Sequence, residues 1–261
     1  MKKILIIPER GNLERDIELA NKYSLGFEYN DFFLPTVLDN DKVINEIVDI
    51  YNQNNKNIDY TTSHGAFFDV IPFSVDSKIK EISEYRIKQS IEVAQRVGAK
   101  SVVFHTNYNP FFKAKGYIDE WLIQNEEFWG TLLNKYSDIN LYLENMFDAT
   151  PDIMAELASR LEKYKNFGIC LDYAHASITN IPAKEWAKVL GKYVKHIHLN
   201  DNDLVSDLHM AWGEGKIDHN GFYEMYDKYM KGATVLVENS CYDDKVKAIN
   251  RLVADGFMDK R

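Results

Sequence analysis

The feature that most constrains this chain is a unit repeated eight times along its 261 residues: a short run rich in Val, Ile, Leu and aromatics, a polar end, a loop, then an amphipathic stretch. The runs fall near residues 2–8, 26–30, 59–65, 101–107, 139–146, 167–175, 194–201 and 233–240. Strands that alternate with helices pair in parallel through crossovers, and eight such units can close on themselves. The expected fold is α/β, a closed (β/α)8 barrel built as one domain over 1–261, with its site at the C-terminal ends of the strands. An open doubly wound sheet is the alternative, but no Gly-x-Gly-x-x-Gly follows the first run and there is no Walker-type glycine loop.

Between the runs, Ile79, Ile82, Ile87, Ile91, Ala94 and Val97 keep helical spacing, with Gly98 as the stop. Thr150-Pro151-Asp152 reads as a helix start: a capping hydroxyl, a preset φ, and a carboxylate at the positive end of the dipole. The last helix, before Gly256, is expected to bury Val246, Ile249 and Val253. A chain this long, 45% hydrophobic, buries a core without staples, so Cys170 and Cys241 read as small core or barrel residues in a reducing compartment. The N-terminal Lys-Lys-Ile-Leu-Ile-Ile-Pro is too short in apolar residues for a signal peptide, and no run approaches a membrane span. A cytoplasmic protein with no membrane partner is expected.

The polar residues fall at telling places. His64, His105, Glu144, Asp172, His198 and Glu238 all end different runs, and in a barrel those ends converge on one mouth. Alternation points His196 and His198 to one face and Ile197 and Leu199 to the other. A lone histidine at a strand end is more often a hydrogen-bonded structural residue than a ligand. Glu144 and Glu238 are harder to dismiss: each follows an apolar run, Leu-Tyr-Leu or Val-Leu-Val, and precedes an asparagine. An ionised carboxylate there needs a partner, and a divalent cation supplies one. Zn, Mn, Mg and Co all suit such oxygen and nitrogen donors, and the number of ions is open.

Glu144-Asn145, Cys170-Leu171-Asp172-Tyr173-Ala174-His175, His198-Leu199-Asn200-Asp201, Asp207-Leu208-His209 with Gly213-Glu214-Gly215-Lys216-Ile217-Asp218, and Val237-Glu238 together resemble the xylose-isomerase-like TIM barrel superfamily. That superfamily holds sugar and sugar-phosphate isomerases and epimerases, inosose-processing enzymes and endonuclease IV. In its epimerase branch the resemblance implies a metal held by Glu144, Asp172, His198 and Glu238, with the two glutamates as catalytic acid and base on opposite faces of a sugar carbon. His175 would bind a substrate hydroxyl or carbonyl. One departure stands out: ketose 3-epimerases carry an arginine six residues after the metal histidine, and Leu204 occupies that position.

The alternative is an endonuclease IV-like zinc phosphodiesterase acting at abasic sites. Its three-zinc pattern would fall on His64, His105, Glu144, Asp172, His175, His198, Asp207, His209 and Glu238, although Leu208 stands where nucleases often have arginine. Charge argues the other way. With 31 basic and 40 acidic residues the formal charge is −9, and the loop over 31–41 carries three acids and no base. Residues 66–77 add Asp69 and Asp76 without a base, and the loop after the fourth run, with Lys113, Lys115 and Asp119, is only weakly basic.

These loops are aromatic instead: Phe32, Phe33, Phe67, Phe68, Phe73, Tyr108, Phe111 and Phe112 read as a lid over a sugar ring, or as caps on the barrel. Glu28, Arg10 and Lys216 are the weaker substrate-binding candidates, Glu28 equally as a residue that orients a ligand or forms an ion pair. No strong phosphate handle stands out. The expected partner is a small sugar or polyol rather than nucleic acid, with self-association into a homo-oligomer left open. Lyase chemistry on a related polyol is a near neighbour of this reading. A non-catalytic binding barrel is the remaining class, though such a barrel usually loses ligands and here every position is filled.

Overall fold

The computed structural model describes residues 2–67, 69–112, 114 and 116–259. The eight strands are β1 (Ile4–Ile6), β2 (Gly26–Tyr29), β3 (Thr61–His64), β4 (Ser101–His105), β5 (Asn140–Glu144), β6 (Phe167–Asp172), β7 (Val194–Leu199) and β8 (Thr234–Val237). The helices are α1 (Leu13–Tyr23), α2 (Pro35–Leu38), α3 (Asp41–Asn54), α4 (Ser77–Arg96), α5 (Tyr117–Lys135), α6 (Asp152–Leu161), α7 (Tyr173–Ser177), α8 (Ala183–Leu190), α9 (His219–Tyr229) and α10 (Tyr242–Ala254). All strand pairs are parallel and follow chain order, and the ring closes where Leu5 lies opposite Leu236. The expected (β/α)8 barrel is what the chain forms. Among the described residues no helix is long and apolar enough to cross a membrane.

Strand alternation sorts the interior. Outward residues such as Ile6, Phe27, Phe104, Leu143, Ile169, Ile197 and Val235 join the helix-facing core. Inside the barrel, Leu5, Ile7 and Leu236 form one small apolar group, and Val103, Tyr142 and Cys170 another. Other inward positions are polar: Thr62 and His64, His105, Glu144, Asp172, His196 and His198 are all buried. Polar and apolar side chains thus share the barrel interior, and His64, His105, Glu144 and Asp172 are the last residues of their strands.

Several local expectations shift. The strands are shorter than the apolar runs, and the sixth stops at Asp172. There the side chain accepts the backbone N–H of His175 at 2.6 Å and starts α7, so Tyr173, Ala174 and His175 are helical. Thr150 does not cap α6, which begins at Asp152 with no side-chain cap. In α4 the face narrows: Ile87, Ile91 and Ala94 are buried, whereas Ile79 and Ile82 are exposed.

Gly98 and Gly256 do follow helix ends with φ of 76° and 71°, as stops need. The buried stripe of α10 is Lys245, Ala248, Ile249 and Leu252, not Val246 and Val253. The helix is turned because Lys245 Nζ reaches inward to Asp16 Oδ1 at 2.7 Å and the Ile7 carbonyl at 2.9 Å. Cys170 lies inside the barrel as expected, but Cys241 is exposed just before α10.

Candidate metal centre

Nine side chains meet at the C-terminal mouth in four overlapping groups close enough to share a cation, and a fifth group, Cys170, His196 and His198, adjoins them. His64, His105 and Glu144 form the first; Glu144 and Asp172 with His175, and Asp172 with His198 and Glu238, form the centre; His175, Asp207 and His209 form the group on the loop side. Glu144 links the first to the centre. Its Oε2 lies 3.5 Å from His64 Nε2 and 3.4 Å from His105 Nε2, while Oε1 lies 3.2 Å from His198 Nδ1. Glu238, one residue past β8, approaches the same His198 nitrogen at 3.5 Å. Its backbone N–H donates to Leu199 O, which fixes the departing chain against β7.

The two asparagines that follow the glutamates explain why Glu-Asn recurs. Asn145 clamps the end of β6: its Nδ2 donates to Asp172 O and its Oδ1 accepts from Asp172 N, both at 2.9 Å. Asn239 Nδ2 donates to His209 O at 2.8 Å, and Asn200 Nδ2 donates to Glu238 Oε2 at 3.0 Å. These positioning residues, with Asp148 and Asp201, escaped the sequence reading; the repeated Glu-Asn pair was the available signal.

The last of these groups hangs on a loop. The Nδ1–H of His175 donates to Asn145 O at 2.8 Å, leaving Nε2 to face Asp207 Oδ2 at 3.2 Å, and His209 Nε2 reaches the same oxygen at 3.1 Å. The loop is organised by buried Asp201, which accepts from Gly213 N, Ile217 N and His219 Nε2. Gly215 must be glycine there, because a Cβ would lie 2.3 Å from Asp201 Oδ1. Leu204 is exposed and takes a positive φ of 66°.

Electrostatics divide the carboxylates. Burial pushes Glu144 up, but the imidazoles of His198 and His105 outweigh it and hold it well below the usual carboxylate range. Burial, reinforced by Glu238 and Glu144, lifts Asp172 to about 8 despite His175. Three carboxylates at one point do not all ionise without a cation.

A divalent ion fits this set. Glu144 Oε1 and Oε2, Asp172 Oδ2 and His198 Nδ1 are buried and have no hydrogen-bond partner among the described residues, so the donors a hard or borderline cation needs are bare.

The weaker candidates separate. Glu28 is wholly buried, below the mouth, with Oε1 3.1 Å from His198 Nε2 and Oε2 3.0 Å from His196 Nε2. Arg10 is tied to Asp31 at 2.5 Å, whose other oxygen accepts from the Tyr51 hydroxyl. Lys216 is exposed on the glycine turn.

Of the aromatic set, Phe33 and Phe67 line the mouth, their rings 5.3 Å apart and Phe67 4.8 Å from His105. Phe32 and Tyr108 are core, Phe73 packs on Trp121, and Phe111 and Phe112 are exposed, so of the seven described rings expected as a lid or as barrel caps, two stand at the site. Phe68, Lys113 and Lys115 lie outside the described residues.

A family model described as xylose isomerase-like TIM barrel matches residues 19–254. Over 195 residues the chain is 28% identical to an uncharacterized protein of Methanocaldococcus jannaschii, a match covering 71% of this chain and 66%, just under two thirds, of the relative. A D-tagatose 3-epimerase-like protein superposes with TM-score 0.76 at 23% identity, covering 97% of this chain and 96% of that one. A Thermus thermophilus protein soaked with zinc chloride superposes with TM-score 0.75 at 22% identity, covering 97% of both chains. The closed barrel and a model match running through seven of its eight strands make this chain a member of the xylose isomerase-like TIM-barrel family.

Proposed function

We propose that this protein is a divalent-metal-dependent isomerase or epimerase of a small sugar or polyol, moving a proton at the carbon beside a carbonyl. The observation that carries the reading is that Glu144 and Glu238, from β5 and from the end of β8, approach the same nitrogen of His198 at 3.2 and 3.5 Å, with buried Asp172 alongside. A divalent ion held by Glu144, Asp172, His198 and Glu238 would polarise the carbonyl and make the adjacent C–H more acidic. Glu144 and Glu238 then serve as acid and base on the two faces of that carbon. Asn200 holds Glu238 through Oε2, leaving Oε1 toward the site. His175, its Nδ1–H engaged by Asn145 O, would meet a substrate oxygen with Nε2 once that nitrogen leaves Asp207 Oδ2. Phe33 and Phe67 cover one wall and exclude water. The likeness in fold to a protein named for a ketose epimerase supports the reading.

The test is proton exchange. Metal-loaded protein in heavy water is expected to incorporate deuterium into at least one member of a panel of ketoses, aldoses and inososes. Glu238→Gln should stop it. No incorporation into any of them would remove the reaction.

A second reading has its own observation. The nine positions of the three-zinc pattern all meet at one mouth and form several overlapping cation-sized groups, which an endonuclease IV-like enzyme would need. It predicts three zinc ions per chain and incision of an abasic duplex at low salt. One bound ion without incision would eliminate it.

A further inference from the structure

Glu28 does no chemistry in the reading above, yet it is a wholly buried carboxylate in the barrel's centre. Such a group is unfavourable unless its charge is matched. The Thr62 hydroxyl donates to its Oε2 at 2.6 Å, and His196 Nε2 meets the same oxygen at 3.0 Å. His196 is itself seated on Thr234, whose Oγ1 lies 2.6 Å from Nδ1. Oε2 is therefore pinned from β3 and β7. Oε1 is left 3.1 Å from His198 Nε2, and neither atom has another hydrogen-bond partner among the described residues. The contact is close but not aligned as a full hydrogen bond.

The far side of the same ring faces the centre. His198 Nδ1 points at Glu144 Oε1 and Glu238 Oε1 and has no hydrogen-bond partner among the described residues. An ionised carboxylate only accepts, so a neutral His198 resting on Glu28 keeps its proton on Nε2 and carries its lone pair on Nδ1. A lone pair beside two carboxylate oxygens is repelled unless a proton or a metal ion lies between them, and a bound metal ion takes the place of the proton.

We propose that Glu28 is a positioning residue for the metal centre: pinned by Thr62 and His196, its carboxylate accepts the Nε2–H of His198 and makes Nδ1 the coordinating nitrogen. Partners of this kind, behind a ligand, orient it and raise its basicity. The inference rests on the metal centre proposed above and not on the identity of the reaction.

Zn2+ is titrated into metal-stripped full-length protein against a chromophoric chelator, for the native chain and Glu28→Gln, and thermal unfolding is followed without metal. Glu28→Gln is expected to weaken Zn2+ binding by about 10- to 100-fold. In 15N spectra of the Zn2+-loaded native protein, His198 should show a protected Nε2–H and a coordinated Nδ1, and the Nε2–H signal should move or vanish in Glu28→Gln. Equal affinities, or coordination through Nε2, would overturn the inference. Should Glu28→Gln not fold, Thr62→Val, which removes one donor and leaves the carboxylate, must still weaken binding several-fold; unchanged affinity sinks the proposal. A native chain that binds no Zn2+ removes the metal centre and this inference together. Binding without sugar proton exchange removes only the proposed reaction.

Discussion

The strand-borne and loop-borne parts of the mouth differ in a way that assigns them different tasks. Glu144, Asp172 and His198 sit on β5, β6 and β7, are wholly buried, and leave donor atoms bare. Asp207 and His209 hang from the loop between β7 and α9, 33% and 42% exposed at the side chain, with His209 at a positive φ of 47°. Where the strands leave their atoms unsatisfied, the loop satisfies itself: Asp207 Oδ2 takes both His175 and His209. Burial removes water as a partner and makes a bare carboxylate depend on a cation; half-exposure lets an acid and an imidazole neutralise each other. The bare donors therefore reside in the strands, and in the proposed reading the loop supplies a substrate contact or holds a further ion.

The largest expected effect breaks the strand set. Glu144 is shared between the His64–His105 pair and the central group. Glu144→Gln should cost on the order of 10²- to 10⁴-fold in substrate proton exchange, with loss of bound metal by elemental analysis. Asp207→Asn should cost about tenfold or less in the same assay, because a misplaced substrate contact is a smaller loss than a missing acid-base group. Equal losses in the two variants would erase the distinction and move the loop into the core machinery, as the three-ion reading requires.

A titration sharpens the same comparison without activity. Burial alone would lower His209, but Asp207 bonded to it, with Glu238 nearby, lifts it to about 10 in the metal-free protein. The sign follows from the raised value: the stabilisation from this pairing is fully present below the unfolded pKa of about 6.5 and is lost as pH rises through about 10. Carbon-13 imidazole shifts should show His209 titrating in that upper range, and Asp207→Asn should bring it back toward about 6.5. A native His209 that titrates near its ordinary value would show that the loop pair is not formed.

Much of the barrel was legible because its signals are local. Alternation from Ile4 to Ile6 or Val194 to Leu199 is read off neighbouring residues, and the strand-end acids and histidines follow from the eightfold repeat. What stayed hidden depends on partners far along the chain. The turn of α10 is set by Lys245 meeting Asp16, 229 residues away. Glu28 looked like a mouth residue because it nears the end of its run; its partners His196 and His198 lie across the barrel interior on β7, a contact that no local pattern encodes. The aromatic loops misled for the same reason, since Phe32 and Phe33 are adjacent in sequence and only the fold makes one core and the other mouth.

The smallest effect tests whether clustering with other donors, rather than a bare buried oxygen alone, marks the cation site. Asp148 is also buried, and like Asp172 it has one oxygen held and one bare: Oδ2 accepts from the Thr106 hydroxyl at 2.6 Å and Met146 N–H at 3.2 Å, Oδ1 has no partner among the described residues, and Asp148 belongs to none of the cation-sized groups. Burial still dominates and raises it to about 6, with those donors pulling the other way. A carboxyl raised in the fold favours the protonated state. Stability it supports is full below the unfolded value of about 3.9 and is lost as pH climbs through about 6. Asp148→Asn keeps the acceptor oxygen and cannot ionise, so the variant should match the native chain near pH 4 and exceed it by about 1–2 kcal/mol at pH 8. Metal affinity should stay unchanged at both values. Chemical unfolding at the two pH values, with Zn2+ titrations alongside, reads all of this. A drop in affinity would place Asp148 with the strand set.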